Sequence, residues 1–160
     1  LDEHHVGFWL ADAGGAGAPA GGLLGLLVRQ AVRMKEVSGG GYWLVPPGDV
    51  LARANRELVA LDLDPPPLVG LACGHVDVRT GKVAVARGGL PPAVYVPADD
   101  PTEVWHGPGP FLGAFEAEFP PQYGQLKPGD KLLLLTDGAK PAGDPDPLPG
   151  LAERHRGLSG

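Results

Sequence analysis

From Leu68 onward the chain is a succession of short apolar segments cut apart by glycine and proline: Leu68 to Val78, Lys82 to Ala86, Ala93 to Val96, Thr102 to Trp105 and Lys131 to Thr136. Segments of this length between turn residues read as strands, and Arg79-Thr80-Gly81 reads as a hairpin turn between the first two. Helical periodicity is confined to the part before them. Leu23, Leu24, Leu27, Val28, Ala31 and Met34 recur at three and four residues, with Arg29, Arg33, Lys35 and Glu36 on the other face. This predicts a core-packing helix from Ala18-Pro19-Ala20, with proline in its first turn, to about Val37. A second helix is predicted over Val50 to Leu61 with Asp49 as its cap, and a short last one near Leu148 to His155. One strand, Val6 to Ala11, precedes the helices and is ended by Asp12. Helices grouped apart from a run of strands imply an α+β fold with antiparallel sheet rather than regular βαβ alternation.

At 160 residues a single domain, spanning 1–160, is expected. With 43% hydrophobic and 20% charged residues the chain has the balance of a soluble globular protein, so its 26 glycines and 19 prolines read as turns. A net charge of −6 argues against a sequence-independent grip on nucleic acid or anionic lipid. The lone Cys73 excludes an internal disulfide and a cysteine-rich zinc site. No run approaches a membrane-spanning length and no secretory leader is visible, so the expected location is the cytoplasm, without membrane contact by this segment.

Two places carry chemistry. The loop Asp12-Ala13-Gly14-Gly15-Ala16-Gly17 admits three readings. Gly15-x-Gly17-x-x-Ala20 satisfies a loose dinucleotide fingerprint, although no acidic second strand follows and no Gly-Lys-Ser/Thr closes a Walker loop. The glycines also suit a plain strand-to-helix turn. In the third reading Asp12 matters, as a carboxylate at a strand end that is costly to desolvate without a cation or donors. Leu132-Leu133-Leu134-Leu135-Thr136-Asp137-Gly138 repeats that device. Two such aspartates brought together by adjacent strands would make an oxygen site for Mg²⁺ or Mn²⁺.

Other residues are weaker candidates. His4-His5 suits a solvated terminus better than a metal, His75 a core or sheet-face position, Arg29 and Arg33 a solvated helix face, and Asn55 local packing or a hydrogen bond. Arg87 is a phosphate-contact candidate, and Trp105-His106-Gly107 a possible substrate-facing rim.

Several landmarks then fall in one order: Asp12-Ala-Gly-Gly-Ala-Gly17, Leu51-Ala-Arg-Ala-Asn55-Arg-Glu-Leu58, Thr80-Gly81 ahead of Gly88-Gly89-Leu90-Pro91-Pro92, Phe111-Leu112-Gly113, and Leu126-Lys-Pro-Gly129-Asp130 running into Thr136-Asp137-Gly138. Together they resemble the metal-dependent protein phosphatases of the protein phosphatase 2C-like family, and more narrowly its bacterial stage II sporulation E branch. The resemblance implies a four-layer α-β-β-α sandwich, two antiparallel sheets flanked by helices, with a two-metal site at one end. It implies that Asp12 bridges the metals, that the Ala13 carbonyl is a further ligand, and that Asp137 binds the second metal. The implied reaction is hydrolysis of phosphoserine or phosphothreonine with Mg²⁺ or Mn²⁺. The implied substrate is a phosphorylated signalling protein such as an anti-sigma-factor antagonist, with sensory domains in the same chain.

The chain also departs from that pattern. Ala16 and Leu90 stand where the family usually has histidines. The acidic segment upstream of the first aspartate and the Asp-Asp pair beyond Thr-Asp-Gly have no counterpart, Asp144 and Asp146 lying in an Asp-Pro-Asp-Pro stretch that reads as a stiff loop. Family elements are therefore expected to be missing at both ends. A noncatalytic pseudophosphatase regulatory module is the alternative to the enzyme.

Overall fold

The computed structural model describes residues 1–14, 17–139 and Gly150. The element order is β1 (His5–Gly14), α1 (Gly17–Ala31), β2 (Lys35–Ser38), β3 (Gly41–Leu44), α2 (Pro47–Val59), β4 (Leu68–Asp77), β5 (Lys82–Gly88), β6 (Ala93–Val96), β7 (Glu103–Trp105), β8 (Gln122–Gln125) and β9 (Lys131–Leu133), followed by a 3-10 turn over Asp137–Ala139. The strands form a four-stranded sheet β1-β4-β5-β8, a three-stranded sheet β7-β6-β9 and the hairpin β2-β3. Every described strand pairing is antiparallel. This is the expected α+β class, and it removes the dinucleotide reading, which needs a parallel sheet with the glycine loop at its switch point.

One face of the four-stranded sheet carries the main core. Leu24, Val28 and Ala31 of α1 and Val50, Leu51, Ala54 and Leu58 of α2 pack with Val69, Leu71 and Cys73 of β4 and Ala86 of β5. Alternation along a strand sends the intervening residues to the opposite face. There Trp105 of β7 lies against β8, since a Cβ on Gly124 would come within 2.6 Å of the indole ring. Trp105 also packs on Tyr95 of β6, ring centroids 5.7 Å apart. A second apolar cluster forms where Val94 and Val96 of β6 receive Leu133 and Leu135.

Several boundaries differ from expectation. The first helix stops at Ala31, and Lys35–Ser38, predicted helical as far as Val37, is a strand instead. The hairpin with β3 captures these residues: Gly39 and Gly40 take φ of +59° and +81° to make its turn, and Val37 is left 74% exposed. Arg33 therefore lies beyond the helix and does not share a helical face with Arg29. Asp49 does not cap α2. The cap position is Pro46, Pro47 opens the helix, and Asp49 sits in the first turn, where the helix dipole favours a carboxylate.

β1 continues two residues past Asp12, so that residue lies within the strand instead of ending it. β9 leaves its ladder after Leu133, three residues earlier than expected. β8 was not anticipated, because Gln122–Gln125 carries no apolar alternation and leaves Tyr123 73% exposed. The short helix expected near Leu148 to His155 lies, apart from Gly150, outside the described residues.

Candidate functional site

Asp12 is set by the register of β1 against β4, directly opposite Gly70. Val78 donates to the carbonyl of His4 at 2.8 Å, so the even-numbered residues of β1 are those hydrogen-bonded to β4. Asp12 is thus fixed by its own backbone, and its side chain shares a face with Leu10 and Ala72, away from the helices. The carboxylate is half-buried and makes no hydrogen bond or ion pair with the described residues. Ala13 has the opposite parity. Its methyl packs against the helix-bearing core, while its carbonyl points to the open side of β1, where a Cβ on Gly21 of α1 would stand 3.8 Å from the oxygen.

Asp137 is exposed and opens the 3-10 turn beyond β9. β1 pairs with β4, and β9 pairs with β6 in the other sheet. The two aspartates therefore do not come from adjacent strands of one sheet, as the sequence suggested; they come from two sheets. Among the described residues no group of three or more His, Cys, Asp and Glu side chains gathers as a metal site. The donors fit a hard divalent cation in kind, being carboxylate and carbonyl oxygens, and two carboxylates fall short of a full site in number. Gly15, Ala16, Asp144 and Asp146 lie outside the described residues.

The ground beside Asp12 is apolar, and sequence reasoning missed how it is built. Leu90 lies over Gly70: a Cβ there would meet Leu90 Cδ2 at 2.5 Å. The glycine opposite Asp12 is what admits the leucine, and the signal for it was a glycine interrupting an otherwise continuous apolar strand. Arg87 holds this loop in place, its guanidinium donating to the Leu90 carbonyl at 2.6 Å and to the Gly107 carbonyl. Arg87 Nε is buried without a partner among the described residues, and burial lowers the pKa of the group. Its terminal nitrogens are spent on two loops, so the structure gives Arg87 a clamping role and not a free phosphate contact.

Other candidates resolve into local structure. His75 stands on the helix-bearing face with its ring edge-on to His5 at 6.3 Å, its Nδ1 is buried without a partner among the described residues, and burial, then His5, lowers its pKa. His5 Nδ1 is bonded to Asp2 at 2.9 Å, which takes that nitrogen out of any metal site. Asn55 makes the hydrogen bonds expected of it, to the Phe115 carbonyl and from the Gly113 N–H, both at 2.8 Å. Burial pushes the Cys73 thiol up to about 12, which keeps it unreactive. His106 is exposed, and its carbonyl accepts from Gln122 at 2.7 Å. A groove of about 720 Å³ bordered by Asp49, Arg56, Glu116 and Glu118 lies by α2, and Asp12 is not among its walls.

Comparison with known families gives a match to Stage II sporulation protein E (SpoIIE) over residues 2–156. The chain belongs to the stage II sporulation E family. Solved structures agree with this membership at the level of fold. The PP2C phosphatase domain of the cell fate determinant SpoIIE from Bacillus subtilis superposes with a TM-score of 0.72 at 17% identity, over 98% of this chain and 45% of that one. The RsbU and RsbW domains of a Mycobacterium tuberculosis protein give 0.66 at 22% identity, over 84% and 36%. RsbX in complex with magnesium gives 0.64 at 13% identity, over 91% and 65%. This stage II sporulation E family chain thus spans less than two thirds of each of those chains. No curated protein matches it. No described helix of this family member is long and apolar enough to cross a membrane.

Proposed function

We propose that the chain is a metal-dependent serine/threonine phosphatase module of bacterial signalling, acting in the cytoplasm on a phosphorylated protein such as an anti-sigma-factor antagonist and working alongside sensory domains. The observation that carries this reading is Asp12, a half-buried carboxylate without a described partner on the face of the sheet turned away from the helices, in a chain of the stage II sporulation E family. Asp12, the Ala13 carbonyl and Asp137 would hold Mg²⁺ or Mn²⁺. Such ions polarise phosphoryl oxygens and lower the pKa of a bound water. The chain's own part is positional. The β1–β4 ladder holds the Asp12 backbone, and Leu90 covers Gly70 directly opposite it.

The test is calorimetric titration of Mn²⁺ into metal-free protein, together with turnover of a phosphoserine peptide. Asp12→Asn and Asp137→Asn are each expected to lower turnover by orders of magnitude and to weaken Mn²⁺ binding at least tenfold, with far-UV circular dichroism unchanged. Binding and turnover equal to wild type in both variants would overturn the site.

The noncatalytic alternative is favoured by one observation, the lack of any group of three metal-ligating side chains among the described residues. A well-folded wild type that binds no Mn²⁺ and turns over no phosphopeptide would decide for that regulatory module.

A further inference from the structure

β9 has an unusual problem of register. It pairs with β6 through only three residues, Lys131, Leu132 and Leu133, opposite Val96, Tyr95 and Val94. The chain then continues through Leu134 and Leu135, so four consecutive leucines run toward Asp137. In most half-buried strands a one-residue slip exchanges the core face for the solvent face and is rejected on that ground. Here a one-residue slip in either direction still sets a leucine opposite Val94, and Lys131 alone, opposite Val96, breaks the repetition, so the leucine run by itself does not choose the register.

A residue outside the leucine run supplies the missing information. Asp130, immediately before β9, accepts three hydrogen bonds: from the Tyr95 hydroxyl at 2.6 Å, from the Ala98 N–H at 2.9 Å and from the Lys127 N–H at 2.7 Å. Two of the donors belong to β6 or to the chain just after it. Tyr95 is also the cross-strand partner of Leu132, and its ring is held against Trp105. A one-residue slip moves Asp130 by roughly 3.3 Å along β6, more than the Tyr95 and Ala98 bonds tolerate, while the Lys127 bond, three residues away in the chain, travels with it.

We propose that Asp130 is a positioning residue for Asp137: by locking β9 onto β6 in a single register, it sets where the chain delivers the Asp137 carboxylate. This rests on the reading of Asp137 as a metal ligand, and the two claims separate experimentally.

The experiment compares wild type, Asp130→Ala, Tyr95→Phe and Asp137→Asn by two-dimensional NMR, amide exchange and Mn²⁺ titration. Asp130→Ala is expected to give a second set of cross-strand contacts in place of the single Tyr95–Leu132 pairing. Leu133 amide protection should fall at least tenfold while Val83, in the other sheet, keeps its own. Mn²⁺ affinity should drop at least tenfold. Tyr95→Phe, which removes one bond of three, should shift the same readouts in the same direction by less.

A unique Tyr95–Leu132 pairing with unchanged Leu133 protection in Asp130→Ala would overturn the proposal. Asp137→Asn binding Mn²⁺ like wild type, or a wild type that binds none, would refute the metal reading, and the NMR arm would still judge Asp130.

Discussion

The side-chain oxygen of Asn55, in the middle of α2, accepts the backbone N–H of Gly113 at 2.8 Å, and this pair ties the 112–119 loop to the helix. Asn55 is 1% exposed, and its amide nitrogen also donates to the Phe115 carbonyl. Leu112, next in line, bridges to Val69 of β4, so a buried asparagine, a loop and a central strand form one unit. Asn55→Ala removes both partners and is expected to cost about 2–4 kcal/mol, because stranded buried polar groups each lose about 1–3. Urea denaturation measures it. Asn55→Asp should give no recovery, since it buries a carboxylate and turns an acceptor oxygen toward the Phe115 carbonyl.

Gly70 and Leu90 form a second dependent pair. A methyl added at Gly70 would stand 2.5 Å from Leu90 Cδ2 and 3.1 Å from its Cγ. Gly70→Ala should therefore destabilise by about 1–3 kcal/mol through overpacking. In a double-mutant cycle, Gly70→Ala should cost measurably less in a Leu90→Ala background. Equal costs in both backgrounds would show that the leucine does not set the limit.

Arg87 reaches two carbonyls, those of Leu90 and Gly107, that a single ammonium cannot serve with the same forked geometry. Arg87→Lys is accordingly expected to cost about 1–3 kcal/mol in urea. Faster amide exchange at Gly89, whose N–H donates to the Gly109 carbonyl at 3.0 Å, should accompany it.

His75 makes stability depend on pH in a definite direction. Burial, followed by His5, lowers its pKa in the folded protein below the ordinary value of 6.5. Between the folded and unfolded values the unfolded chain binds more protons, so this contribution is fully present above about 6.5 and is lost as pH falls through the folded pKa. His75→Gln should flatten the change in urea midpoint between pH 7.5 and pH 5. An unchanged slope would assign the acid sensitivity to other groups.

Much of the fold was legible because β-type segments bounded by turns have few other ways to bury their faces. Ala93–Val96 and the hairpin through Arg79-Thr80-Gly81 stand where the pattern placed them. The misreadings have local causes. Met34 continues the helical spacing of α1 and is buried, yet it sits outside the helix, because the triple-glycine turn lets Lys35–Ser38 satisfy its backbone by pairing with Gly41–Leu44. β8 is held by pairing with β5 and has no side-chain periodicity of its own to read.

At the site, Asp12 and Asp137 were chosen on strand-then-aspartate patterning, a local property, and the strand ends fall elsewhere: β1 runs two residues past Asp12 and β9 ends at Leu133. That Asp12 lies in one sheet and Asp137 follows the last strand of another, that Leu90 covers Gly70 and that Arg87 clamps two loops depend on contacts far apart in sequence, which periodicity does not encode.

Among the described residues β1 is the outer strand of its sheet, and its odd-numbered residues turn their peptide groups away from β4. From Gly7 to Ala13 that border carries neither proline nor lysine, the residues by which sheets commonly discourage unwanted pairing, and Trp9 beside it is exposed. In concentrated solution the chain should associate first along this border. The formal charge of −6 is then what works against its precipitation, so raising the salt or approaching the isoelectric point near 5.2 should shorten its useful life on the bench.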